Sequence, residues 1–332
     1  MHAFSFRGDA GARAGVLGTL ADRALGRHRG LFAAVAGLGL AALAVYAGTG
    51  VNFFKASNLL NVARGFSMLA VAGIGQTVVI VGGGLDLSVA EVVSTSNVIA
   101  ATFMAGHDGL FLPVTLLALG FGAAVGILNS LLVTKRNVPP FVATLGTSIV
   151  LRGARLMWTQ GLPQGRIPAN LKALGTGTTL GVPNLFFVFL AFALALVVVL
   201  GHTGYGRRLY AVGTNPKVAI LSGIRADRVV ILSYVVCAVS AALVGVLLGG
   251  YTGMSDQKIG EGYELDSIAV SVLGGAAIGG GSGGVAGTVL GTIIILVLTN
   301  LSLLMGFPIQ SQMVIKGAVI VLALWINAQR GK

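Results

Sequence analysis

Long apolar runs, separated by short polar or turn-forming breaks, occupy most of the chain between residues 31 and 327. A helix needs about 20 mostly apolar residues to cross the hydrocarbon core of a bilayer. The runs predict ten spans, near residues 31–49, 59–81, 87–105, 111–134, 139–157, 184–200, 229–250, 264–279, 285–305 and 310–327. Gly and polar residues interrupt the third, fifth and eighth runs, which predicts broken or re-entrant segments there. The predicted fold class is therefore an all-α polytopic membrane protein with about ten transmembrane helices.

Composition agrees with this pattern. Of the 332 residues, 55% are hydrophobic and only 10% are charged, whereas a soluble domain has about 25% charged residues. The 51 glycines favour close packing of membrane helices, because small residues let backbones approach. The net charge of +12 would suggest nucleic acid in a soluble protein. Here membrane topology accounts for it, and no nucleic-acid partner is predicted.

The distribution of Lys and Arg predicts the orientation. Fourteen of the 22 fall on the side of the N terminus, four on the opposite side, and the rest within or beside predicted spans. Since cytoplasmic loops are enriched in Lys and Arg, both termini are predicted to be cytoplasmic. The predicted organisation is a basic N-terminal segment (1–30), a single transmembrane domain (31–327) and a short cytoplasmic tail (328–332). No cleavage site follows the first run, so that span is expected to be retained.

The longest predicted cytoplasmic connection, residues 206–228, contains the signals of a short helix. Asn215 is suited to the N-cap, Pro216 to the first helical position and Gly223 to a left-handed ending. Between them the sequence is apolar but too short to span a membrane. Such a helix either lies on the membrane surface or inserts into a partner protein, and the residues alone favour the surface helix.

Three consecutive glycines, 82–84, precede Asp86 and Ser88 at the start of the third run. Glycines make a regular helix costly, and an acid at membrane depth is a functional candidate. Asp86 and Glu91 are therefore candidate pathway residues. The simpler alternative, which the residues favour, is that Asp86 N-caps the third span at a water-exposed end.

The fifth run combines Thr144 and Thr147 with two arginines, Arg152 and Arg155. The hydroxyls either line a path for a polyhydroxylated solute or bond to carbonyls of their own helix, the commoner outcome. The arginines either extend to the membrane interface or pair with an acid of a partner; the first is favoured. The candidate translocation pathway comprises Asp86, Ser88, Asn129, Phe141, Thr144 and Thr147.

No arrangement for covalent catalysis or metal binding is predicted. The glycine cluster 279–284 lacks the Lys of a phosphate-binding loop and is predicted to be a flexible cytoplasmic turn. Gly287 and Gly291, four residues apart, predict a helix-packing seam. The four His residues are scattered, and Cys237 has no second cysteine with which to pair. The chain is therefore not expected to be an enzyme.

Four segments together resemble the ribose-type permeases of ATP-binding cassette (ABC) transporters. GGGLDLSVAEVV resembles their GG-aliphatic-DLSVG signature, and VPPFVATLGTSIVLRG resembles their PF-aliphatic-xTLGT segment. GRRLYAVGTNPKVAILSGIRADRV resembles their coupling segment, and GYELDSIAVSVLGG their GYELDAIAAVVLGG segment. One departure is Ala90-Glu91, where the family usually has Gly and a small or polar residue.

The resemblance implies a ten-helix ABC importer permease in the bacterial inner membrane that translocates a monosaccharide by alternating access. The implied partners are ABC ATPase subunits, a second permease copy (identical or paralogous), a periplasmic or extracellular sugar-binding protein and membrane lipids. ATP and Mg²⁺ would be used by the ATPase, so no cofactor is expected on this chain. The resemblance reverses the preference for a surface helix and implies coupling to the ATPase through Asn215, Pro216, Lys217, Ala219, Leu221, Ser222 and Gly223.

Two other functions stay open. A permease for branched-chain amino acids or nucleosides would share the fold and the coupling segment but carry a different solute. An ion-coupled secondary transporter would need no ATPase and would use acids such as Asp86 and Glu91 as ion sites. The four motifs argue against the secondary transporter.

Overall fold

The computed structural model describes residues 31–330 apart from residues 44, 49 and 51, so the predicted basic segment 1–30 lies outside the described part. Within these residues, one 3-10 turn spans Asp108–Leu110, and a two-stranded antiparallel hairpin pairs β1 (Thr178–Thr179) with β2 (Val182–Pro183). The α-helices of the described residues are α1 (Leu31–Gly48), α2 (Ala56–Val81), α3 (Val89–Met104), α4 (Phe111–Lys135), α5 (Pro140–Thr159), α6 (Ala169–Thr176), α7 (Asn184–His202), α8 (Gly204–Thr214), α9 (Pro216–Leu221), α10 (Ala226–Thr252), α11 (Tyr263–Leu273), α12 (Val285–Leu304) and α13 (Ile309–Arg330).

The helical, membrane-type architecture agrees with the predicted fold class. Within the described residues, six helices are long and apolar enough to cross a membrane: α1, α2, α4, α7, α10 and α12. The prediction of about ten spans therefore stays a prediction. The eighth predicted run, 264–279, was expected to be broken or re-entrant, and the structure agrees, because α11 has 11 residues and ends at Leu273. At about 1.5 Å per residue, α11 is about 16 Å long.

Helices α2 and α10 form the centre of the bundle. Helix α10 packs against α2, α3 and α4, while α2 also contacts α7, α11 and α12. The crossing of α4 and α10 depends on Gly122 and Gly126. A Cβ on Gly122 would lie 2.6 Å from the Ala238 carbonyl oxygen, and one on Gly126 would lie 2.7 Å from the Tyr234 carbonyl oxygen. Only glycine permits so close an approach of the two backbones.

The predicted packing seam on α12 is confirmed. A Cβ on Gly291 would lie 2.2 Å from the Val270 carbonyl oxygen of α11, and Gly287 lies directly against Gly274. Beside the seam, the Thr77 hydroxyl of α2 forms hydrogen bonds with the hydroxyls of Ser271 and Thr288. Small residues and hydroxyls therefore hold α2, α11 and α12 together, as expected where apolar surface alone gives little preference between helix and lipid.

One end of the bundle carries α8, α9 and the glycine turn; it is called the α9 end below. The glycine turn, predicted to be flexible, is instead packed: the Gly281 N–H donates to the Val81 carbonyl (2.9 Å), and the Tyr210 hydroxyl donates to the Gly283 carbonyl (2.9 Å). Helix α8 was not predicted because three of its 11 residues are glycine and two are arginine, which weakens the apolar pattern. Residues 328–330 of the predicted tail lie within α13, and residues 331 and 332 lie outside the described part.

The opposite end is formed by the turns that follow α3, α5 and α10. The connection after α5 contains α6 and the β1–β2 hairpin, neither of which was predicted. Helix α6 packs against α10, so this connection is part of the folded core. Its residue Leu171 is fully buried.

Candidate functional site

Residues 82–88 form a non-helical break between α2 and α3, in which Gly83 is exposed and Gly84, Asp86 and Ser88 are buried. The Tyr234 hydroxyl of α10 donates to the Leu85 carbonyl (3.3 Å), and the Leu87 N–H donates to the Thr144 hydroxyl of α5 (3.1 Å). The side-chain amide of Gln76, in the orientation that satisfies both its groups, donates to the Asp86 carbonyl (3.2 Å) and accepts from the Asp86 N–H (3.1 Å). Side chains from α2, α5 and α10 thus replace the hydrogen bonds that a helix would supply.

Asp86 is fully buried at the end of this break. Its Oδ1 accepts from the Ser88 N–H (2.8 Å) and from the Ser88 hydroxyl (2.6 Å), and that hydroxyl accepts from the Asn129 amide of α4 (2.9 Å). Ser88, not Asp86, is the N-cap residue of α3. The prediction of a water-exposed cap at Asp86 is therefore wrong: Asp86 stabilises the turn that leads into the helix.

The structure brings together four of the six candidate pathway residues: Asp86, Ser88, Asn129 and Thr144. The Thr144 hydroxyl also donates to the Pro140 carbonyl one turn earlier (2.9 Å), the helix-internal bond that was the alternative interpretation. Thr147 is buried one turn further along α5, whereas Phe141 is exposed on the outer face of that helix. Asp86, Ser88 and Asn129 are linked through their side chains, and Thr144 reaches the same break through the Leu87 N–H.

A second buried polar cluster joins α3, α5 and the turn before α11. The Arg155 guanidinium is 2.6 Å from the Glu91 carboxylate and donates to the Gln257 carbonyl (2.9 Å), the Gln257 side chain (3.2 Å) and the Thr95 hydroxyl (3.1 Å). The side chain of Arg155 is 3% exposed and that of Glu91 14%. A charge so far from water is stable only when it is paired and hydrogen-bonded. This cluster therefore ties α5 and the turn to α3.

The favoured prediction, that the arginines of α5 extend to the membrane interface, is wrong for Arg155 and agrees with the exposed position of Arg152. Arg152 is exposed on α5, but Arg155, three residues later, faces inward and pairs with Glu91. Glu91, where the sequence departs from the permeases that it resembles, therefore has its counter-charge in Arg155 of the same chain. The sequence alone did not predict that Glu91 pairs with Arg155, because α4 lies between α3 and α5 in the chain.

Helix α9 has the predicted local geometry. The Asn215 side chain accepts from the Lys217 and Val218 N–H groups, and Gly223 has a φ of +80°. Ala219 is buried, whereas three apolar side chains of the helix point to solvent; Val218 is 56% exposed, Ile220 57% and Leu221 87%. A six-residue helix with this much exposed apolar surface is typical of a segment that a partner protein covers.

Beside α9 lies a groove of about 400 Å³ with a basic lining. Three arginines contribute to it, and no acidic residue does. The lining residues are Arg208, Ser222, Gly223, Ile224, Arg225, Arg228 and Val229. Ser222 and Gly223, which follow α9, belong to this lining, so the groove adjoins the exposed helix.

Several site residues were missed by sequence reasoning. Gln76, Tyr234, Thr95 and Gln257 each support a buried polar cluster. Gln76 alone carried a usable signal, as an amide within an apolar run. Within the described residues, no group of three or more His, Cys, Asp or Glu side chains is placed to hold a metal ion.

Comparison with known proteins gives a consistent result. The chain is 34% identical over 295 residues to the ribose import permease protein RbsC of Escherichia coli K12, covering 88% of this chain and 92% of that protein. It is 36% identical over 284 residues to RbsC of Bacillus subtilis 168, covering 84% and 87%. It is 33% identical over 246 residues to the autoinducer 2 import system permease protein LsrC of Yersinia enterocolitica, covering 73% and 68%. No solved structure matches.

The family model described as "Branched-chain amino acid transport system / permease component" matches residues 58–324. The matched region begins in α2 and ends in α13, and so includes both buried polar clusters and α9. The chain belongs to this family of transport-system permease components.

Proposed function

We propose that this chain is the membrane-spanning permease subunit of an ABC importer that carries a monosaccharide or a related polyol into the cytoplasm. The relatives named as ribose import permeases, each matched over most of its length, favour this cargo. The relative named as an autoinducer 2 permease favours a small polyhydroxylated solute in general. The family description names branched-chain amino acids, so an amino acid is the second candidate cargo.

The observation that carries the proposal is the surface around α9. Exposed Val218, Ile220 and Leu221 stand beside a groove with three arginines, at the end where Lys and Arg are most concentrated. The positive-inside rule assigns that end to the cytoplasm. There α9 would be covered by the ATPase subunit, with Asn215, Pro216, Lys217, Ala219, Leu221, Ser222 and Gly223 forming the coupling element. ATP and Mg²⁺ would be used by the ATPase, and none by this chain.

The proposed topology has about ten membrane segments with both termini in the cytoplasm, in a bacterial inner membrane. It counts α3, α5, α11 and α13 together with the six long apolar helices, and treats α3 and α11 as shorter segments. Irregular backbone at membrane depth is tolerated where protein surrounds it. Gly84, Asp86 and Ser88, the buried residues of the break at 82–88, meet that condition.

The proposed gate lies along α5. This helix contacts α3 and α4 on one side only, and much of its other side is exposed, Phe141 included. A second permease copy would cover that exposed side, with solute passing between the two copies. Asp86, Ser88, Asn129 and Thr144 would position the break behind the pathway, and Phe141 and Thr147 would lie closer to it. A binding protein outside and ATP inside would shift the two copies between two arrangements.

The experiment compares two exposed leucines at opposite ends of the bundle. Leu221 is 87% exposed on α9, and Leu180 is 95% exposed in the hairpin, so neither Leu221→Asp nor Leu180→Asp should disturb folding. Leu221→Asp is expected to abolish ATP-driven sugar uptake and co-purification of the ATPase, and Leu180→Asp to preserve both. Normal uptake in Leu221→Asp would contradict the proposal. Ion-driven uptake by this chain alone in vesicles would instead support the secondary transporter.

A further inference from the structure

Asp86 is the one acidic residue of the described part of the chain that is completely buried. It lies in the break between α2 and α3, where the Gln76 side chain holds its backbone and Ser88 holds its side chain. A carboxylate removed from water is very unfavourable unless a cation or enough hydrogen-bond donors compensate its charge. The surroundings of Asp86 therefore show which protonation state the fold can hold.

The two oxygens of this carboxyl group are treated differently. Oδ1 accepts from the Ser88 N–H (2.8 Å) and from the Ser88 hydroxyl (2.6 Å), whereas Oδ2 is buried and accepts from no protein group. An ionised carboxylate is an acceptor at both oxygens, but a protonated one has a carbonyl oxygen that accepts and a hydroxyl that donates. The pattern at Asp86 is that of the acid, with Oδ1 as the carbonyl oxygen and Oδ2 as the place of the proton.

Asn129 of α4 adds a second, independent observation. Because the Ser88 hydroxyl donates its proton to Asp86, it accepts from the Asn129 amide nitrogen (2.9 Å), which fixes the orientation of that amide. The Asn129 Oδ1 is buried and accepts from no protein group. Two side chains that contact the same hydroxyl thus each have an acceptor without a donor, and buried polar atoms nearly always have a partner. A proton on Asp86 Oδ2 supplies this cluster with the donor that it lacks.

No positive charge compensates Asp86. Within the described residues it takes part in no ion pair, and the side chains that reach the break from α2, α4 and α5 are neutral amides and a hydroxyl. The titratable groups within electrostatic reach are Tyr234 and Cys237 of α10, neither of which can become a cation. Glu91, one turn into α3, is the contrasting case, since Arg155 pairs with it.

We infer that Asp86 is a protonated, neutral carboxylic acid at neutral pH, with its proton on Oδ2, and that it acts in the break as a hydrogen-bond donor as well as an acceptor. Asp86 is then a positioning residue for the turn into α3, and the break brings no fixed negative charge to membrane depth, where such a charge is costly. The inference concerns the chain itself. It holds whichever solute the permease carries and does not depend on the ATPase subunit.

The direct test is infrared spectroscopy of the full chain in lipid nanodiscs at neutral pH. A protonated carboxyl group has a carbonyl band well separated from the bands of a carboxylate, and that band shifts in deuterated water. The wild type is expected to show such a band, and Asp86→Asn, which keeps the shape and the carbonyl group of the neutral acid, is expected to lose it. Asp256→Asn is the matched control: Asp256 also accepts from the N–H two residues later (2.9 Å), but it is exposed, so the band should stay unchanged.

The pH dependence of stability gives a second measurement. An unfolded chain ionises its aspartates above about pH 4, so a folded state that keeps the Asp86 proton binds one proton more than the unfolded state. The stability that this proton contributes is fully present below about pH 4 and is lost as the pH rises. Between about pH 5 and 7, the folding equilibrium constant of the wild type relative to that of Asp86→Asn should therefore fall about tenfold per pH unit. The same ratio for Asp256→Asn should not change over this range.

Two results would overturn the inference: a carbonyl band that persists in Asp86→Asn, or a wild-type to Asp86→Asn ratio that does not change with pH. Stabilisation of the wild type by sodium chloride and not by choline chloride, absent in Asp86→Asn, would place a sodium ion at the unpaired oxygens and would overturn it as well. If Asp86→Asn does not accumulate, Ser88→Ala decides. That variant removes one hydrogen bond from Oδ1, so the band of a protonated Asp86 should move to higher frequency, and an unchanged spectrum would contradict the neutral acid.

Discussion

Replacing Arg155 with Met is expected to destabilise the bundle because the Glu91 carboxylate then stays buried without a counter-charge. The two groups are 2.6 Å apart, with the side chains 3% and 14% exposed. Removing one partner of a buried ion pair typically costs about 3–5 kcal/mol. Because Glu91 is slightly exposed, we expect a loss at the lower end of this range, about 3 kcal/mol in the free energy of unfolding. Met is similar in shape to the apolar stem of Arg155, so the loss of stability measures mainly the removal of the positive charge.

A double-mutant cycle separates the ion pair from packing. Glu91→Leu alone leaves the guanidinium with neutral acceptors only, those of Gln257 and Thr95 among them, and is expected to cost a similar amount. The double variant Glu91→Leu/Arg155→Met contains no unpaired charge and should cost clearly less than the sum of the two. The expected coupling is about 2 kcal/mol, within the range for residues in direct contact. The measurement is reversible unfolding in mixed micelles by a denaturing detergent.

Arg152→Met is the matched control, since it removes a cation from the same helix at an exposed position. It should change the free energy of unfolding by less than about 0.5 kcal/mol. Additive single effects would show that Glu91 and Arg155 act independently. Stability of Arg155→Met equal to that of the wild type would refute the argument that the buried carboxylate needs its partner.

Three further predictions concern packing, the break and α9. Gly122→Ala should lower the yield of folded protein sharply, because the new methyl group meets the α10 backbone. Gly120→Ala should fold normally, because a Cβ at that position has no neighbouring atom within 4 Å. Size-exclusion profiles in detergent compare the two variants. Thr144→Val should lower unfolding free energy by about 1–3 kcal/mol by leaving the Leu87 N–H unpaired, and Thr144→Ser should restore it. Asn215→Ala should cost about 1 kcal/mol of helix stability and reduce ATP-driven uptake without changing the amount of protein in the membrane.

The short helix α9 was predictable because its signals are local. A cap needs Asn215 next to the first turn, and a left-handed ending needs Gly223. Both act within one turn of backbone, and both occur in the structure. The seam at Gly287 and Gly291 was predictable for the same reason, since residues four apart share one face of a helix.

The break in the eighth run was predictable from its glycines, but the packing of the glycine turn and the role of Asp86 could not be read locally. The turn from Gly279 to Gly284 folds back onto α2 and α8. Asp86 has the composition of a helix cap, yet it is fully buried, and its carboxylate accepts from Ser88, whose hydroxyl accepts from Asn129 of α4. Hydropathy reports the environment of a segment and not which partners satisfy its polar groups.

The sequence by itself determined that the chain is an all-α membrane protein, because too few charges are available to cover a soluble surface and long apolar runs satisfy the bilayer. It also determined α9, whose caps are short-range. Only the tertiary structure decided that Glu91 meets Arg155 and that Asp86 and Ser88 are buried within the break at 82–88. In lipid, apolar helices gain little from any particular neighbour, so their arrangement depends on close glycine contacts and on buried polar groups whose partners lie far apart in the chain.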